Sequence, residues 1–81
     1  MLAITVGEIR NRTGRWIFLT LDGKLVGPSV GALERIWTRV KAESATGISV
    51  KLRGVNCISP SGEELLHRID REGAELKRER C

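Results

Sequence analysis

The stretch from Lys24 to Leu52, KLVGPSVGALERIWTRVKAESATGISVKL, decides the fold. It holds a short apolar run, a segment with apolar residues at helical spacing, and a second apolar run that alternates with polar residues. The helical segment opens at Pro28, which is favoured in a first turn because its missing N–H would be unpaired there. Its apolar positions are Val30, Leu33, Ile36, Trp37 and Val40. The order strand, helix, strand calls for a right-handed crossover, so both strands are predicted to lie in one sheet.

Further strands are predicted before this stretch. Leu2–Val6 alternates apolar with small or polar residues, and Trp16–Leu21 is rich in aromatic and β-branched residues. Between them, the polar segment Gly7–Gly14 is predicted to be a loop. Asp22-Gly23 is typical of a two-residue hairpin turn, so Lys24–Val26 is predicted to be a short returning strand.

A second helix is predicted after the strand that begins at Gly47. Ser61 and Glu64 have the spacing of a capping box, in which each side chain pairs with a free backbone N–H at the helix start. Gly73 is suited to the position that ends the helix. Ala74–Leu76 is predicted to begin a final strand. The resulting order, β-β-β-α-β-α with a short last strand, predicts one α/β domain over residues 1–81.

The composition is that of a folded, mildly basic domain. The 81 residues carry a net charge of +4 and are 41% hydrophobic, which argues against disorder. No apolar stretch approaches the roughly 20 residues that span a bilayer, and no secretory signal opens the chain. The sequence therefore predicts a cytoplasmic protein with no membrane insertion. Cys57 is predicted to be a buried apolar residue and Cys81 a free terminal thiol.

No arrangement of residues typical of an enzyme or a metal site is present in the sequence. His67 is the only histidine, and it is predicted to face solvent. The two cysteines have no metal-ligand spacing, and no phosphate-binding glycine motif is present. We therefore predict a chain that is not an enzyme and that has neither a cofactor nor a metal.

Arg10, Arg12 and Arg15 form the only dense basic cluster. Proteins that bind nucleic acids usually gather basic residues on one face, together with aromatic side chains that stack on bases. Because the cluster falls in a predicted loop and aromatic residues are few, a solvated surface with a positive bias is favoured over nucleic-acid binding.

Ser59-Pro60-Ser61-Gly62 is the most informative segment, because a small, hydroxyl-bearing loop here leads into the start of a helix. A phosphate attached at such a place adds a charge of roughly −1.5 to −2 and can alter docking through charge alone. Turn and helix-cap residues of a purely structural kind explain the same segment. Both interpretations stay open from these residues alone.

At this point the sequence resembles a known family over nearly the whole chain up to Leu76. The order and spacing of six segments carry the resemblance: Leu21–Pro28, Leu33–Trp37, Leu52–Val55, Ile58–Gly62, Leu65-Leu66 and Gly73–Leu76. Together they are similar to STAS domains, the domains of bacterial anti-sigma factor antagonists. The resemblance implies a STAS-like mixed β-sheet with helices packed mainly on one side, shortened here at the C-terminus.

The resemblance also implies a function. Antagonists of this type dock an anti-sigma factor kinase, which phosphorylates a serine at the start of the second major helix. In this chain Ser59 matches the family's aspartate, Pro60 the phospho-acceptor, Ser61 the next small residue and Gly62 the glycine. Pro60 carries no hydroxyl, and Lys51 stands where an aspartate is frequent.

These matches imply that the chain is a protein–protein interaction module, which docks a kinase-like regulator in transcriptional or stress signalling. Ser59 or Ser61 is then a displaced acceptor. The alternative is an unphosphorylated STAS scaffold or an accessory subunit of a transport complex. A shortened fold also suggests self-association as a homodimer.

Overall fold

The computed structural model describes residues 2–78, which form four strands and two helices. The strands are β1 (Leu2–Asn11), β2 (Gly14–Leu25), β3 (Gly47–Ile58) and β4 (Glu75–Arg78). The helices are α1 (Pro28–Lys41), between β2 and β3, and α2 (Pro60–Arg71), between β3 and β4. The α/β class, both helices and the final short strand are as the sequence predicted.

The strands form one mixed sheet in the order β1-β2-β3-β4. β1 and β2 are antiparallel, whereas β3 runs parallel to both β2 and β4. The strands on either side of α1 are therefore direct neighbours, which confirms the prediction that both lie in one sheet.

The front of the domain differs from the prediction in two respects. Gly7–Gly14 is not a loop, because β1 continues to Asn11 and only Arg12 and Thr13 form the turn. The Asn11 side chain stabilises this turn by accepting hydrogen bonds from the backbone N–H of Thr13 at 2.9 Å and from its hydroxyl at 2.6 Å. An asparagine side chain that mimics a turn in this way allows a tight hairpin within a polar segment.

The predicted turn at Asp22-Gly23 is also wrong, because β2 runs through it without interruption. The neighbouring strand β3 carries the irregularities instead: its register against β2 shifts between Leu21 and Asp22, and again between Gly23 and Lys24. Each shift leaves one extra residue on β3, first Arg53 and then Asn56. Such β-bulges bend and twist a strand locally. The front of the domain therefore has two long strands and not three short ones.

Both helices cover the same face of the sheet. Alternate residues of β2 and β3 point toward them, and these side chains join the apolar residues of α1 and α2 in a single buried cluster. The cluster comprises Ile17, Leu19, Leu21, Leu25, Leu33, Trp37, Val40, Val50, Leu52, Leu65, Leu66, Ile69 and Ala74. The packing of helices on one side agrees with the predicted architecture.

Candidate functional site

The segment named here the Ser59–Gly62 loop follows β3 directly and comprises the N-cap residue Ser59 and the first three residues of α2. Ser59 is the N-cap residue of α2, with extended backbone angles of φ −76° and ψ 164°. Its hydroxyl oxygen accepts a hydrogen bond from the N–H of Gly62 at 3.2 Å. An N-cap serine satisfies one of the backbone donors that a helix start leaves free. The helix therefore begins two residues earlier than the capping box at Ser61 and Glu64 predicted.

Pro60 explains why the helix begins there. It occupies the first helical turn directly after Ser59, where its fixed φ suits the helix and its missing N–H costs nothing. Ser61 is thus the second helical residue and not a cap. The predicted capping role of Ser61 was wrong, and Ser59 performs it.

The loop is also attached to the end of β2. The N–H of Ser59 donates to the carbonyl oxygen of Leu25 at 3.0 Å. Gly62 is buried against the same residue, and a Cβ at this position would lie 2.8 Å from the Leu25 carbonyl oxygen. No real Cβ tolerates that distance unless the backbone shifts. Gly62 is therefore required for the close approach of α2 to the sheet.

The two serine hydroxyls of the loop differ in accessibility. Ser59 is half-buried and its hydroxyl caps the helix, whereas Ser61 is exposed. The two hydroxyl oxygens lie 3.1 Å apart, close enough for a hydrogen bond. Pro60 is exposed as well and has no hydroxyl. Ser61 is consequently the more exposed of the two serines.

A groove of about 270 Å³ adjoins Ser61 between the two helices. Its lining combines apolar, acidic and basic side chains: Val30, Glu34, Ser61, Glu64, Leu65, Arg68 and Arg71. The Arg68 guanidinium donates a hydrogen bond to the Glu34 carboxylate at 2.7 Å, which links α2 to α1. That hydrogen bond raises the pKa of Arg68, so its positive charge is retained. The groove therefore offers charges of both signs next to the loop.

Sequence reasoning missed this groove. Arg68 lies seven residues after Ser61, which is the spacing of two helical turns on one face of α2. This part of the groove was therefore visible in the sequence. The contribution of Glu34 was not, because it depends on how α1 packs beside α2.

The basic cluster occupies the hairpin at the other end of β2. Arg15 is bound by the carboxylates of Glu8 and Glu43, and these hydrogen bonds raise its pKa. Arg10 lies 3.8 Å from the same Glu8 carboxylate. Two of the three cations in the cluster thus have acidic neighbours, which weakens their attraction for phosphates.

The remaining candidate residues lie apart from the loop. Cys57 is exposed, not buried as predicted, because it pairs with Lys24 on the sheet face that no described helix covers. Cys81 lies outside the described residues. His67 is exposed on α2, as predicted, and Lys51 is exposed on β3. Within residues 2–78, no group of three acidic, histidine or cysteine side chains is placed to hold a metal.

Neither helix within residues 2–78 has the length and apolar character needed to cross a bilayer.

No protein-family model and no curated protein matches the sequence. Among solved structures, the chain is similar to an antisigma-factor antagonist, a STAS domain from Rhodobacter sphaeroides, with 18% identity and a TM-score of 0.57. The match covers 93% of this chain and 84% of that chain. The chain therefore has a STAS-like α/β fold.

Proposed function

We propose that this chain is a protein-docking module of the anti-sigma factor antagonist type, which binds a kinase-like regulator through the Ser59–Gly62 loop and the adjoining groove. In this proposal it acts in transcriptional or stress signalling in the bacterial cytoplasm and catalyses no reaction itself. The observation that carries the proposal is the exposed Ser61 hydroxyl at a helix start, beside a charged groove, in a fold similar to that of an antagonist.

Ser61 is the phosphate acceptor in this proposal, displaced by one residue from Pro60. Ser61 is exposed, whereas Ser59 is half-buried and its hydroxyl oxygen already accepts the hydrogen bond that caps α2. A phosphate on Ser61 adds roughly two negative charges near the positive end of the helix dipole. It also alters the charge of the groove, where Glu64 and Arg68 are neighbours. Phosphorylation would thus change partner affinity through charge, without refolding the loop.

Affinity purification of the tagged protein from its native cytosol tests both parts of the proposal. Mass spectrometry identifies the co-purified proteins and locates phosphate on the peptide that spans Ser59 and Ser61. We expect a kinase-like regulator among the bound proteins and phosphate on Ser61. The Ser61→Ala variant should bind the regulator and resist phosphorylation.

Ser29 provides the matched control. It is the second residue of α1 and follows Pro28, just as Ser61 is the second residue of α2 and follows Pro60. Ser29→Ala should be phosphorylated as the wild type is. If Ser61→Ala is phosphorylated to the same extent as Ser29→Ala, the acceptor assignment is wrong.

The absence of a hydroxyl at Pro60 favours a second candidate, an unphosphorylated STAS scaffold or transporter subunit. The same purification distinguishes the two candidates. Recovery of a transporter ATPase with an unmodified peptide would support the scaffold and contradict the switching antagonist.

A further inference from the structure

The two edges of the sheet differ in length and charge. β4 forms one edge with only four residues, and three of them are charged: Glu75, Lys77 and Arg78. β1 forms the other edge with ten residues, and its first six, Leu2–Gly7, carry no charge. Short, charged edge strands resist pairing with other chains, whereas long, uncharged ones favour it. Of the two edges described within residues 2–78, the β1 edge is therefore the one suited to accept another strand.

The backbone of β1 is regular. It pairs with β2 at every position from Leu2 to Asn11 without a register shift, so no bulge deflects it. Within residues 2–78, β1 has no strand on its other side. In any extended strand, about half of the N–H and C=O groups point away from the existing neighbour. These outward groups of β1 can form a second ladder of hydrogen bonds.

Side chains on the helix-side face of β1 support the same conclusion. Leu2 and Ile4 are partly buried against the core, but Val6 in the same row is 55% exposed. Its partner on β2, Leu19, is fully buried. The helices therefore cover the β2 side of this pair and leave Val6 open to an additional neighbour.

We propose that Leu2–Val6 pairs antiparallel with the same segment of a second copy, across a two-fold axis perpendicular to the sheet. The two sheets then join through their β1 edges into one continuous sheet. In a two-fold interface the same surface serves both subunits, so a self-complementary segment is sufficient. The inference concerns β1 and does not depend on the proposed role of the Ser59–Gly62 loop.

Charge selects the register of this pairing. With Ile4 opposite its own copy, Leu2 lies opposite Val6 of the second copy, and only uncharged residues face one another. A shift that centres the pairing on Val6 would place Glu8 opposite Ile4 of the second copy. Directly opposite side chains are the main determinants of strand pairing, so the first register is favoured.

Sedimentation velocity over a roughly hundredfold dilution series tests the proposal, because the dimer fraction of a self-associating protein falls with concentration. We expect the wild type to be dimeric at high concentration. Val6→Lys should weaken dimerisation by about tenfold or more, since it places a charge opposite Leu2 of the second copy.

Ile9→Lys is the matched control. Ile9 lies on the same strand and is 54% exposed, but it falls outside the paired segment and on the opposite face of the sheet. This variant should dimerise like the wild type. Val6→Glu repeats the test with the other charge, and cooperative unfolding of each variant verifies that it is folded.

Hydrogen exchange gives an independent measurement. The amides of Leu2–Val6 that point away from β2 should lose protection on dilution, whereas those of β4 should not. A wild type that stays monomeric at every concentration would overturn the proposal. So would equal dissociation by Val6→Lys and Ile9→Lys, because the interface would then not be the Leu2–Val6 edge.

Discussion

The indole Nε1 of Trp37 donates a hydrogen bond to the carboxylate of Glu72 at 2.7 Å, which joins the buried face of α1 to the end of α2. Lys41 lies 3.2 Å from the same carboxylate oxygen. The hydrogen bond from Trp37, and then that from Lys41, hold the pKa of Glu72 below its usual range. The charged form of Glu72 is therefore stabilised by folding.

Because the pKa of Glu72 is lower in the folded state than in the unfolded state, its contribution to stability is present above the unfolded pKa and is lost as the pH falls through the folded pKa. Glu72→Gln should remove this part of the acid sensitivity. Urea unfolding at neutral and acidic pH measures the effect, with the exposed Glu64→Gln as the control variant. The prediction is wrong if the free energy of unfolding changes as much between the two pH values in Glu72→Gln as in the wild type.

Ser59→Ala should lower the free energy of unfolding by about 1 kcal/mol, the usual cost of losing an N-cap side chain. Ser61→Ala should have a much smaller effect, since Ser61 does not cap the helix. Urea denaturation of both variants makes the comparison. If Ser61→Ala lowers the free energy of unfolding more than Ser59→Ala does, Ser61 is the N-cap residue, as the sequence predicted.

Gly62→Ala should destabilise the protein by about 1–3 kcal/mol, because the added methyl group has to displace the end of β2. Gly31→Ala is the matched control in α1, where a Cβ meets nothing within 4 Å. There the alanine should stabilise the helix by about 0.5–1 kcal/mol. Thermal unfolding should thus show a lower melting temperature for Gly62→Ala and a higher one for Gly31→Ala. If both melting temperatures shift in the same direction, the contact of residue 62 with Leu25 is unimportant.

Nucleic acids should bind negligibly to the wild-type chain, even at low salt, because Arg15 is engaged by two carboxylates. Combining Glu8→Gln with Glu43→Gln removes both negative charges and should increase retention of DNA or RNA. That retention should fall steeply with added salt. If the wild type instead binds DNA or RNA strongly and in a salt-sensitive manner, the prediction is wrong and the basic cluster is a nucleic-acid-binding surface.

Both helices could be predicted from the sequence, because apolar residues at helical spacing act locally within each of them. The continuity of β2 could not be predicted from the sequence. Asp22-Gly23 has the chemistry of a turn, and the bulges at Arg53 and Asn56 on the neighbouring strand allow β2 to stay extended. Tertiary pairing thus overrode a local preference.

The candidate site was predictable in position but not in detail. Ser59, Pro60, Ser61 and Gly62 lie together at the start of α2, as the sequence indicated. The exchange of roles between Ser59 and Ser61 depends on Pro60 and on the hydrogen bond from Ser59 to Leu25. That bond joins residues 34 positions apart, so neither spacing nor composition could reveal it.

The attachment of the Ser59–Gly62 loop to Leu25 also bears on the speed and cost of binding. A loop held at both Ser59 and Gly62 has its backbone ordered before any partner arrives. Association then loses little conformational entropy in the loop, a cost that flexible segments incur on binding. Encounter at such a surface is governed mainly by orientation and long-range charge, so a single added phosphate can act on the association rate as well as on the lifetime of the complex.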